Sequence, residues 1–119
     1  MMGGFQRTDG IGDNKEFSVA SPSEITIHLG DADSVGKTSA NDTATDYYLD
    51  TRKSARKFFL RTDQALTITK YNGIALTDPI TVALVSSAGS HKQEFDALVL
   101  MSMSIQTSTA NTNLKIVYL

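Results

Sequence analysis

The chain has 119 residues, 40% hydrophobic and 20% charged, with a net charge of −2 and a pI near 5.5. That is one domain's worth of material, able to bury roughly two-thirds of its unfolded surface, and its slight acidity gives no overall attraction to nucleic acid or to an anionic membrane. The absence of cysteine excludes disulfides, thiolate ligands and cysteine nucleophiles, and no apolar run approaches the roughly 20 residues of a membrane-crossing helix.

Residues 1 to 16 hold four glycines and no apolar periodicity, so they read as a flexible N-terminal arm. They also lack the apolar stretch of about 7 to 15 residues that an export signal would need. From Phe17 the pattern changes. After a Ser21-Pro22 turn, Ile25, Ile27 and Leu29 share one face of a strand. Residues 30 to 46, GDADSVGKTSANDTATD, read as a long polar loop. Tyr47-Tyr48-Leu49 reads as a short strand, with a short helix over 46 to 57 as the competing assignment.

The clearest hairpin runs Leu66 to Tyr71, turns at Asn72-Gly73 and returns through Ile74-Ala75-Leu76, because Asn-Gly accepts the two positive φ angles of a type I′ turn. Asp78-Pro79 punctuates, and Ile80, Val82 and Leu84 form the next alternating run. Residues 86 to 90 read as a loop, with His91 in a polar stretch. Leu98 to Ile105 reads as a strand with Val99, Met101, Met103 and Ile105 on one face. Residues 107 to 112 turn, and Leu114, Ile116 and Tyr118 alternate in a last strand.

Ser and Thr make up 26 residues, 14 of them threonines that alternate with Ile, Leu or Val, which suits pleated, half-buried surfaces. Seven or eight short strands predict an all-β chain, with the arm over 1 to 16 and a sandwich or small barrel over 17 to 119. Its expected core is Phe58, Leu60, Leu66, Ile68, Ile80, Val82, Met101, Met103, Ile105, Leu114 and Ile116.

The stretch GDADSVGKT looks like a phosphate-binding loop, but five residues separate Gly30 from Gly36 where that loop has four. Its amides would curl to the wrong size, Asp31 and Asp33 would repel phosphate, and SANDTATD is a poor helix start. Lys37 and Thr38 are therefore not expected to hold a nucleotide. Read as a calcium loop, Asp31, Asp33, Gly36, Ser39 and Asp42 fall at positions 1, 3, 6, 9 and 12 of the twelve-residue pattern. Val35 at position 5 offers no side-chain oxygen, and Asp42 is shorter than the usual glutamate.

His28 and His91 have no third ligand at a telling spacing, and the carboxylates of Glu94 and Asp96 form an ordinary surface pair. The expectation is no enzyme, no catalytic residue, no bound metal and no cofactor. Five aspartates (31, 33, 42, 46 and 50) precede a basic block of Arg52, Lys53, Arg56, Lys57 and Arg61. Without interleaved aromatics these cations do not predict nucleic-acid binding. They fit complementary charge at a protein interface or a solvated face.

From residue 56 onward, RKFFLRTDQALTITKYNG, TDPITVAL and ALVLMSMSIQTSTANTNLKIVYL together resemble small virion structural proteins of tailed bacteriophages and related viruses. The likeness covers about half the chain and rests on strand and turn patterns. It implies a single antiparallel β-sandwich, jelly-roll-like or Ig-like, with an extended N-terminal arm. It also implies a virion location and a homo-oligomer that decorates or cements a capsid, or sits at a minor head or tail position, by docking on major capsid or tail proteins. Partner contacts would come from residues 1 to 16 and 30 to 57. The competing expectation is a carbohydrate- or ligand-binding sandwich, calcium-dependent through Asp31, Asp33 and Asp42. No nucleic acid or membrane partner is expected.

Overall fold

Nine strands, eight of them paired in a nested order, make up the computed structural model, which describes residues 13–49, 54, 55, 57–82, 89–94 and 99–118. They are β1 (Asp13–Val19), β2 (Glu24–His28), β3 (Asp46–Tyr48), β4 (Lys57–Thr62), β5 (Leu66–Tyr71), β6 (Ile74–Val82), β7 (Gly89–Glu94), β8 (Ser102–Thr107) and β9 (Thr112–Tyr118). β5 and β6 form the innermost hairpin. Around it β4 pairs with β7, β2 with β8 and β1 with β9, all antiparallel.

This is one long hairpin rolled up on itself. Rolling brings β9 against β4 and β8 against β5, so the strands divide into two sheets of order β1-β9-β4-β7 and β3-β2-β8-β5-β6. With β3 set aside, this is the two-sheet jelly roll of eight strands. The sandwich is thus found, and its order is that of the jelly-roll alternative, not the Ig-like one.

The core lies between the sheets. Ile25 and Ile27 of β2, Met103 and Ile105 of β8, and Leu66 and Ile68 of β5 meet Leu60 of β4, Leu114 and Ile116 of β9, and Val19 of β1. Each such side chain withdrawn from water contributes about 1.5 to 3 kcal/mol. Ile80 packs at the margin, and the side chain of Phe58 lies outside the described part. Met101 is a correction: it is 39% exposed, whereas Leu100 beside it is fully buried and bridges Ala55 through two backbone hydrogen bonds. The alternation of β8 therefore does not extend back to residue 98, and Val99 is exposed as well.

Four other boundaries differ from expectation. β1 begins at Asp13, inside the expected arm, and pairs along its length with β9; residues 1–12 lie outside the described part. Asp46–Tyr48 is a strand, which removes the helical alternative there. His91 stands on β7 and not in a loop, while Asp96 lies outside the described residues. β6 is continuous through Asp78-Pro79 at the edge of its sheet, where a residue with no N–H is tolerated, but its pairing with β5 is interrupted there: Ile80 faces Ile68 and Ala75 faces Lys70, so residues 76–79 fall outside the register.

The Asn72-Gly73 turn is as expected, with φ of 53° and 78°. Strict alternation in β5 would nevertheless send Lys70 inward beside Leu66 and Ile68. The register slips between Ile68 and Lys70, so Lys70 comes opposite Ser104 and Tyr71 opposite the buried Met103. One bulged residue, Thr69, thereby turns an ammonium out of the core and a phenol ring toward it.

Candidate functional site

The polar groups concentrate on the outer face of the five-stranded sheet. Along β2, Thr26 and His28 alternate with the core residues Ile25 and Ile27, and along β8, Ser102 and Ser104 alternate with Met103 and Ile105. His28, Ser102 and Ser104 are nonetheless buried. The segment between His28 and Asp46 explains part of this. β2 and β3 are parallel, and parallel neighbours need a crossover of a dozen or more residues. The expected loop is that crossover, and it returns the chain to the sheet edge beside His28.

Within it, Ala32–Ser34 and Ser39–Asn41 each make one 3-10 turn. The Thr38 hydroxyl accepts from Ala40 N, and Thr38 N donates back to the Asn41 side chain, forming a capping box. Gly36 occupies φ of 74°, where a side chain would be strained. Gly36, Lys37 and Thr38 therefore lead into a three-residue turn, not the helix of a phosphate loop, and the amides of Lys37, Asn41 and Asp42 donate to carbonyls of the crossover itself.

The five residues of the calcium pattern separate into two groups. Ser39 and Asp42 turn inward to Lys15 of β1, whose ammonium donates to Ser39 Oγ at 2.9 Å, Asp42 Oδ2 at 2.7 Å and the Tyr48 carbonyl at 3.0 Å. Asp42 also accepts from Tyr48 N at 2.7 Å. Asp31 and Asp33 lie at the other end of the crossover, beside His28. A single ion shared by Asp31, Asp33 and Asp42 is thus replaced by a lysine in one half and a histidine in the other.

His28 is the centre of the second half. Its Nδ1 is 2.8 Å from Asp31 Oδ2 and its Nε2 is 2.9 Å from Asp46 Oδ1. The Tyr48 ring stacks on the imidazole at 4.6 Å and 12°, and Lys37 Nζ lies 4.8 Å from the centre of that tyrosine ring while donating to its hydroxyl. Burial pushes the His28 pKa down, but the hydrogen bonds to Asp46 and then Asp31 outweigh it, and the net direction is upward. The bond from His28 holds the Asp46 carboxyl below its ordinary range, against the smaller effect of burial.

Asp31, Asp46, Lys70 and Asn72 line a cleft of about 430 Å³ floored by Thr26, His28, Ser102 and Ser104. Ligand atoms of His28, Asp31 and Asp33 come within 4.8 Å of one another, the grouping among the described residues with the donor set for a divalent cation. Both imidazole nitrogens already face carboxylates, so a cation there would first have to displace a proton.

No family model, curated protein or solved structure matches this chain. The assignment of the cleft therefore rests on its own chemistry. Its hydroxyls and carboxylates suit hydrogen bonding to a polar ligand, and Lys70 on its lining is paired with Glu24 at 3.3 Å.

Of the basic block, Arg61 is the member whose side chain is described, and it lies away from these acids. Arg61 is on β4 of the other sheet, where it lines a smaller hollow of about 300 Å³ with Glu16, Asp63 and Lys115; Arg52, Lys53, Arg56 and the side chain of Lys57 lie outside the described part. Two functional-looking residues were not legible in advance. Lys15 lay in the expected arm, and Asp46 carries no spacing signal that links it to His28. The His28–Asp31 separation of three residues was visible, but only a chain reversal directly after β2 brings the two together.

Proposed function

We propose that the chain is a non-enzymatic structural subunit of a virion, working by self-association and by docking on coat or tail proteins. The observation that carries this reading is the nested jelly-roll order, an architecture used by viral capsid domains, and the reading is in that respect a fold-level analogy. The phrases behind the phage resemblance fall on the strands and turns that build it: FLRT in β4, DPITV in β6, and SIQTSTANTNLKI across β8, its turn and β9. A family resemblance carried by sheet-forming segments fits a protein whose role is its shape.

One end of the sandwich supplies a surface for such docking. The Asn72 side chain grips the segment 99–102, Met101 O accepts from Leu29 N and Gly30 N, and the exposed apolar residues Ile74, Val99 and Met101 cluster on this hairpin tip and segment. Light scattering on the full chain at micromolar concentration, together with co-sedimentation on capsid or tail assemblies, tests the proposal. An oligomer, or capture by the assemblies, is expected. A monodisperse monomer that stays in the supernatant overturns it.

A second reading, a jelly-roll module that binds a polar ligand such as a carbohydrate, is favoured by the cleft above His28. Calorimetric titration with glycans, with and without millimolar calcium, separates the two.

A further inference from the structure

The ammonium of Lys15 is held by a serine hydroxyl, an aspartate carboxylate and a backbone carbonyl, two of them from the 29–45 crossover. The other half of that crossover turns acceptors of the same kind toward the cleft over the five-stranded sheet. Asp31, Asp33 and Asp46 line it, and Lys70 on the same lining is paired with Glu24. His28 has a carboxylate at each ring nitrogen, and Lys37 donates to the Tyr48 hydroxyl. The Asp33 carboxylate has no hydrogen bond or ion pair among the described residues, and Asp31 Oδ1 has no hydrogen-bond partner there, so the negative charge of this wall is incompletely matched by donors.

Ser102 adds an observation that does not depend on the acids. It stands opposite His28 in the β2–β8 register, alternates with the core residue Met103 and lines the cleft. It is 5% exposed, yet its hydroxyl makes no hydrogen bond to a described residue. A hydroxyl so far withdrawn from water without a partner costs free energy that an incoming donor recovers.

We propose that the cleft binds a primary alkylammonium group, with Ser102 Oγ and the Asp33 carboxylate accepting its protons, Asp31 adding negative potential, and the exposed Met101 lying beside its alkyl stem.

The lining selects this class. An ammonium brings three donors and no acceptor, which suits a wall of acceptors. Sugar hydroxyls need donors as well, and Lys70 is already engaged. A quaternary ammonium calls for an aromatic cage, and no Phe, Tyr or Trp is among the described lining residues. A calcium ion needs six or more oxygens, whereas Asp31 Oδ2 and Asp46 Oδ1 already accept from His28. Both walls are set in advance: Leu29 N and Gly30 N donate to Met101 O on one side, and the Asn72 side chain clamps residues 99–102 on the other. An alkylammonium ligand presupposes the second reading, whose cleft it occupies, and the virion reading stands or falls without it.

The test is an NMR titration of the full chain with n-butylammonium chloride near neutral pH, with EDTA present, against sodium chloride at equal ionic strength and against n-butanol. The expected result is saturable shifts of the Ala32, Asp33 and Ser102 amides with the amine alone. Ser102→Ala should weaken binding about tenfold and Asp33→Asn about threefold, less because Asp33 is exposed to screening solvent, while Glu16→Gln on the other sheet leaves it unchanged. Shifts that sodium chloride or butanol reproduces, or that both variants retain in full, overturn the proposal. A monosaccharide, or calcium added without EDTA, that binds the cleft while the amine does not overturns it and keeps the second reading; if none of them binds, both fall. Cadaverine and an acetylated lysine peptide distinguish the sources of the group. Tighter binding of the diamine assigns a free amine, tighter binding of the peptide assigns a lysine of another protein, and failure of both to displace butylammonium overturns the site.

Discussion

The ammonium of Lys15 lies 2.7 Å from the carboxylate of Asp42, 27 positions further along the chain, and by that contact β1 of one sheet holds the crossover that serves the other. Lys15 pairs with Ile116 across β1 and β9 and so points to the core side, where it is 7% exposed. Three acceptors match its three protons. Lys15→Met removes the donor and leaves Asp42 without its counter-charge, and the expected loss is about 2 to 3 kcal/mol, below the range for a wholly buried pair because Asp42 is 25% exposed. Urea unfolding measures it. A loss under about 0.5 kcal/mol, the size of an ordinary surface change, would show that the pair does not hold the sheets together.

Met101 and Met103 are two residues apart and have opposite fates. Met103 is 1% exposed and packed among Ile25, Ile27 and Ile105, whereas Met101 faces outward. Met103→Ala should cost about 2 to 5 kcal/mol, and Met101→Ala no more than about 0.5 kcal/mol. Thermal melts of the two variants compare them directly. Equal costs would mean that the strand continues back through residue 101 after all.

Asn72 combines a turn conformation with a clamp. It holds φ of 53°, its Oδ1 accepts from Met101 N and Ser102 N, and its Nδ2 donates to Val99 O. Asn72→Gly keeps the backbone freedom but loses three hydrogen bonds, and Asn72→Ala loses both. The alanine variant should be about 1 kcal/mol less stable than the glycine variant, with both below the parent by about 1 to 3 kcal/mol. Proteolysis should cut both variants faster near residues 99–101, and protection equal to the parent's would count against the clamp.

Tyr71 titrates late. Burial pushes its phenol up to about 12, against an ordinary value of 10. A raised folded pKa means that its contribution to stability is complete below pH 10 and is lost as pH rises through 12. Ultraviolet titration should show a phenolate step near 12 that vanishes in Tyr71→Phe, and the phenylalanine variant should lose less stability than the parent in that alkaline window. A parent spectrum complete by pH 11, well short of a 12 midpoint, would contradict the burial.

On the acid side Asp46 acts in the opposite sense. Its carboxyl is held below the ordinary 3.8, chiefly by the bond from His28, so its contribution is present above that value and lost as pH falls through the lower folded one. Asp46→Asn should flatten the acid limb of the stability curve below about pH 4 and leave the variant about 1 kcal/mol less stable than the parent at pH 5, a charge-assisted bond discounted because Asp46 is 39% exposed to screening solvent. An unchanged acid limb in the variant would sink this account.

Most of the strands were legible because their signals are local, whereas the jelly-roll order that joins them was not. Ile25 and Ile27, Leu66 and Ile68, and Leu114 and Ile116 alternate with polar neighbours, and a side-chain period of two turns that alternation directly into an inner and an outer face. The Asn72-Gly73 turn needs only its own two residues to accept positive φ. The site was less legible. His28 read as a lone histidine on a strand, because Asp46 reaches it only after the crossover has placed β3 alongside β2.

Composition and alternation by themselves determined that this is a strand-built chain with a polar connection after residue 29 and a tight hairpin at residue 72, since those properties depend on neighbours in sequence. Which strands pair, that β3 runs parallel, that a bulge at Thr69 turns Lys70 outward, and that Lys15 is buried instead of lying in an arm were decided by tertiary structure. Each of these depends on a partner far along the chain. The free energy of burying a charge or closing a sheet depends on which partner arrives, and no local pattern records that.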